Sequence, residues 1–97
     1  MIDSYEVFVL VDEASRLMMR DEAVSGLVGL DIAACRAMAV SLAREAEVVP
    51  VEVPGTVASC IAEAARRAAF WDTAGLAPDA LRLVLLLSDV NHELNRA

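Results

Sequence analysis

Val48-Val49-Pro50-Val51-Glu52-Val53-Pro54 is the stretch that decides the architecture. Its two prolines lack backbone donors, fix their own φ and push the residues before them out of the helical region. A helix cannot run through it. The segment reads as an extended or polyproline-like crossing, with the option of pairing as one edge strand. On both sides the sequence returns to helical spacing, with room for two helices in each half. The expected fold is therefore all-α: a single domain over residues 1–97, built as a four-helix small domain or bundle with a Pro-containing extended crossing between helices 2 and 3.

Working outward, Asp31 to Glu47 reads as the second helix, with Asp31 as its cap. Its first three turns are apolar nearly all round, which predicts burial on most sides. Downstream, Thr56 caps a third helix that runs to Trp71. Val57, Cys60, Ile61, Ala64, Ala65 and Ala68 share one face, while Ser59, Glu63, Arg66 and Arg67 share the other. At the outer ends, Asp3 to Met19 forms the first helix, with Asp3 and Glu6 spaced as a capping box. Asp12 and Arg16 lie one turn apart. Tyr5 to Val11 also suits a strand, but the apolar stripe persists for three turns and favours helix. Arg20 to Gly29 is a connector with room for a short helix over Glu22 to Leu27. Pro78 to Asn95 is the fourth helix, with Pro78 in its first position and Asp79 in its first turn. Its main face is assigned to Leu81, Val84, Leu85, Leu87 and Leu94. Leu83, Leu86 and Val90 widen that face beyond what one neighbour covers.

The 97 residues are 58% hydrophobic, above the usual share of about 45–50%. Mean hydropathy is +0.52. Much of the excess is alanine, yet a chain this short has a limited core and tends to bury apolar surplus between chains. The net charge is −7, and every basic residue is arginine. An acidic chain with no basic cluster suits neither phosphate backbones nor anionic lipid, so no nucleic acid and no membrane are expected as partners. The absence of lysine fits GC-rich coding and a bacterial or phage origin. No positive n-region opens the sequence and no apolar run reaches about 20 residues, so a cytoplasmic location is the expectation.

No catalytic, metal or cofactor site is legible. His92, the sole histidine, lies near the end of the fourth helix, where a cation suits the helix dipole. Cys35 and Cys60 sit in Ala-rich helical patterns and read as small buried apolar groups; with one histidine at this spacing they make no zinc site. The acidic pairs Asp12-Glu13, Asp21-Glu22 and Glu45/Glu47 read as solvated faces. Phe70-Trp71 is the most conspicuous aromatic spot, either a core plug or an interface anchor.

Gly29-Leu30-Asp31-Ile32 at a helix start, Leu42 eleven residues after Asp31, and Thr56-Val57 opening the next helix give a pattern over Gly29 to Ile61. It resembles acyl carrier proteins, which are small, acidic and four-helical. The resemblance implies docking to biosynthetic enzymes. The family's phosphopantetheine-bearing serine is replaced here by Ile32 and the following leucine by Ala33, so no arm is expected.

The leading expectation is a non-enzymatic helical interaction module, in the manner of regulators, immunity proteins, inhibitors and chaperones. It would act as a homodimer or small oligomer and bind a protein partner. The alternatives are the carrier-like docking domain and a small helical enzyme subunit with its site at a dimer interface. The expected protein interface is Phe70, Trp71, Leu83, Leu86 and Val90, and Leu86→Asp is expected to break the oligomer.

Overall fold

The computed structural model describes residues 3–21 and 24–96. Among them are four α-helices: α1 (Ser4–Met18), α2 (Gly26–Ala43), α3 (Val57–Ala69) and α4 (Pro78–Leu94). A single 3₁₀ turn, Thr73–Gly75, lies in the α3–α4 connection. The described residues contain no strand, so Val48–Pro54 crosses in extended form without a ladder partner and the edge-strand option is not taken.

α1 packs on α2 and α3, and α4 packs on the same two. The ring order is thus α1, α2, α4, α3, with α2 and α3 at opposite corners. Two of the four adjacent pairs, α1–α2 and α3–α4, join consecutive helices, and the proline segment carries the chain between the far corners. A helix in such a ring has two neighbours and one side left outward. The shortest dimension of the molecule is 18 Å, which is two helix layers.

Each helix contributes a row at three- and four-residue steps to one core. α1 supplies Val7, Leu10, Val11 and Ala14; α3 supplies Val57, Cys60, Ile61, Ala64 and Ala68. These two rows match the sequence pattern closely. On α4 the fully buried row is Ala80, Leu83, Leu87 and Val90. The expected face holds in part: Leu87 is enclosed, and Val84 and Leu94 pack against the core. Leu83 and Val90, expected to widen the face outward, are core residues, whereas Leu81 (37% exposed) and Leu85 (59% exposed) turn outward. Ala80, too small to be conspicuous, starts the true row.

α2 departs furthest from expectation. It begins at Gly26, not Asp31, because Ser25 caps it: the Ser25 hydroxyl accepts a hydrogen bond from the Val28 N–H at 3.2 Å. Asp31 lies in its second turn. The helix ends at Ala43 rather than Glu47. Of its apolar residues only Ile32, Cys35 and Ala39 are fully enclosed. The prediction of burial on most sides fails because two neighbours cover one side, and no further element among the described residues covers the other. The short helix suggested over Glu22 to Leu27 falls partly on Glu22 and Ala23, outside the described residues; Leu27 belongs to α2.

Asp3 stands before α1 but does not close a capping box. Its carboxylate instead accepts the Trp71 indole N–H at 2.7 Å and pairs with Arg67 at 3.1 Å. This ties the start of α1 to the end of α3 and settles Trp71 as a buried core plug with its one donor satisfied. The crossing is anchored by Cys60, whose thiol donates to the Pro54 carbonyl at 3.3 Å.

Candidate interaction surface

The outward side of α2 follows from its core row. With Ile32, Cys35 and Ala39 facing in, 3.6 residues per turn bring Gly26, Leu30, Ala33, Ala37 and Ser41 round to the opposite side. Leu27 (77% exposed) and Leu30 (68% exposed) are its two large side chains. Ala33, Ala34, Ala37 and Ser41 are also exposed. The two charges on the helix, Asp31 and Arg36, sit on its flanks near the neighbouring helices. Arg36 Nε reaches back to Asp12 of α1 at 2.8 Å. The outward strip therefore carries no charge from Gly26 to Ser41. By length and composition α2 could also cross a membrane, but one of its sides is committed to the core and one of its two charges to an ion pair.

The expected interface residues are separated by the fold. Trp71, Leu83 and Val90 are buried inside the chain. Leu86 is half-buried against the core. Only Phe70 offers its side chain to solvent, at 80% exposure. Leu86→Asp would therefore disturb the core as much as any contact with another chain. The sequence signal for the outward strip was present in Leu27, Leu30 and the alanines after them. A helix that is apolar all round is enclosed only where the fold gives it neighbours on every side, and this ring gives α2 two.

Elsewhere the surface offers shallow grooves. One of about 490 Å³ lies between the start of α2 and the end of α4, where Asp31, Asp89, His92 and Glu93 meet Ser25 and Leu27. Among the described residues no group of three or more His, Cys, Asp or Glu side chains is arranged to hold a metal ion. A second, about 410 Å³, runs between α3 and α4 over Ala62, Ala65, Ala69 and Leu85. Neither cysteine is poised as a nucleophile. Burial, with Asp31 adding to it, pushes the Cys35 thiol up to about 12. Burial and then Glu13 push Cys60 up as well. A protonated, enclosed thiol is unreactive.

Two charged contacts pin the corner helices to α1. One is Asp12–Arg36, to α2; the other is Asp3 with Arg67 and Trp71, to α3. Glu63 accepts from Arg67 at 3.2 Å and also pairs with Arg66, which keeps the outer side of α3 ionic. Ile32, which the resemblance to carrier proteins would set at the serine position, is fully buried. Comparison of this chain with models of protein families, with characterised proteins and with solved structures gave no match.

Proposed function

We propose that this chain is a non-enzymatic protein–protein interaction module that self-associates through the outward side of α2. One observation carries the proposal: an uncharged apolar strip along an 18-residue helix is left uncovered by the other described residues. Such a helix is about 27 Å long, enough to seat a second helix along it. Its residues are self-complementary in size. If two copies lie antiparallel about the Ala33–Ala34 midpoint, Leu30 faces the partner's Ala37, and Gly26 faces the partner's Ser41. Small residues allow close approach, and the leucines fill the space beside them. Antiparallel packing also opposes the two helix dipoles favourably. A closed two-fold dimer uses the strip once on each copy and leaves none to propagate.

Light scattering on a gel-filtration column tests this. The natural chain should elute above its monomer mass of 10.4 kDa at micromolar concentration. Leu30→Glu, at an exposed position, should return it to the monomer with its helical circular dichroism intact. A natural chain that remains monomeric at high micromolar concentration would remove the proposal.

A further inference from the structure

At the other end of α2 the surface has a different character. Where α1 begins and α2 ends, a groove of about 530 Å³ opens between the two helices and the first residues of the crossing. Its apolar lining comes from Tyr5, Leu42, Ala46 and Val49. Around these stand the carboxylates of Glu6, Glu45 and Glu47. Asp3 also borders the groove but is already engaged by Arg67 and Trp71. The other three form no ion pair among the described residues. None of the eight arginines in the chain lines the groove. By contrast Asp12, Glu13, Glu63 and Glu93 each have an arginine partner.

An apolar trough with an uncompensated acidic rim has a defined complement. It favours a segment that presents an aliphatic side chain to Leu42 and Val49 and a cation to Glu45, Glu47 and Glu6. Anionic ligands are repelled, which removes nucleic acid and acidic lipid. The loose rim lacks the convergent geometry that a bare cation needs, and an apolar trough gives such an ion nothing. We infer that this groove docks a basic amphipathic segment of a partner protein, arginine or lysine alternating with leucine-like residues. The site uses none of the outward strip of α2, so it does not depend on self-association. It adds a partner-recognition surface to a module whose other side joins copies. Carboxylates on the rim would raise the rate of encounter, and the trough would hold the segment once seated.

The test is an NMR titration of the full ¹⁵N-labelled chain with a short amidated peptide alternating leucine and arginine. It is run on the natural chain and on Leu30→Glu. Amide shifts should be saturable and concentrated at residues 3–6 and 42–49 in both. Glu45→Gln/Glu47→Gln should weaken the peptide by roughly tenfold, the size expected from losing close charge pairs. Asp79→Asn/Asp89→Asn, with the same net charge, should leave binding unchanged. A leucine–glutamine peptide should bind at least about tenfold more weakly than the arginine one. Shifts scattered over the surface, or equal weakening in both double variants, would mean general attraction to an acidic protein and overturn the inference. So would the absence of saturable binding. If the natural chain proves monomeric, the α2 reading fails while the titration is still decided on its own terms.

Discussion

α2 and α3 stand at opposite corners of the same ring and touch the same two neighbours. Their inner rows are even alike: Ile32 and Cys35 on one, Cys60 and Ile61 on the other, all fully enclosed. Outside they differ completely. α3 turns Ser59, Glu63 and Arg66 towards solvent, with the acid and the base paired. α2 turns Leu27, Leu30, Ala33, Ala34 and Ala37 towards it. The fold demands an apolar row from each corner helix and nothing more. α3 shows that a charged exterior is compatible with that corner. The apolar exterior of α2 is therefore surplus to the packing of one chain, and this is the physical ground for giving it a partner.

The largest effect that can test the comparison lies on the inner rows. Ile32→Ala and Ile61→Ala each delete most of a fully enclosed side chain, which costs about 2–5 kcal/mol. The two costs should agree within about 1 kcal/mol in urea unfolding if the helices are equal members of the core. A much smaller loss for Ile32→Ala would break the equivalence and mark α2 as loosely docked.

A smaller effect separates the two ties to α1. Asp3→Ala strips the Trp71 indole of its acceptor and Arg67 of one partner in a half-buried position. Removing one side of such a contact costs about 1–3 kcal/mol. Arg36→Ala removes an exposed ion pair to Asp12 and should cost under about 1 kcal/mol. Thermal or urea unfolding ranks them. If Arg36→Ala proves the more damaging, α2 is held by its charged contact more than by its row of three enclosed residues.

Much of this fold was legible in the sequence. The prolines at 50 and 54 stop a helix wherever they occur, and the α1 and α3 stripes are separated cleanly by polar residues. α2 and α4 were harder for the same reason as each other. When Leu or Ala occupies nearly every position, periodicity no longer says which third of the surface faces in. On α4 the answer depends on Ala80, whose small side chain contributes little to the pattern. On α2 it depends on how many neighbours the ring provides, a property of the whole fold. The Asp3–Trp71 bond joins residues 68 apart in the chain, and Asp3 looks locally like a helix cap. The acidic groove brings Glu6 close to Glu45 and Glu47 only through the α1–α2 hairpin, so spacing gave no hint of it.

The finest test of the corner comparison is acid titration. The Asp12 carboxyl is pushed up by burial, but hydrogen bonds from Arg36 and Arg16 outweigh this and hold it below its ordinary 3.8. Glu63 is held below its ordinary 4.5, first by its hydrogen bond from Arg66. A carboxylate whose folded value is depressed binds its proton more readily when unfolded. Its contribution is present above the ordinary value and lost as pH falls through the folded one. Stability should therefore decline as pH drops below 4.5 and then below 3.8, by under about 1 kcal/mol for each of these partly exposed groups. The two losses should fall on different corners. Protonating Asp12 releases Arg36, so the hydrogen-exchange protection of α2, taken relative to the intrinsic rate at each pH, should fall. Protonating Glu63 frees Arg66 and one contact of Arg67, so the protection of the second half of α3, on the same relative scale, should fall. Asp12→Asn should abolish the acid sensitivity of α2 alone, and Glu63→Gln that of α3 alone. Acid opening that is uniform over both helices and unaltered by either variant would show that these ion pairs do not distinguish the corners. The contrast between α2 and α3 would then rest on their outward side chains alone.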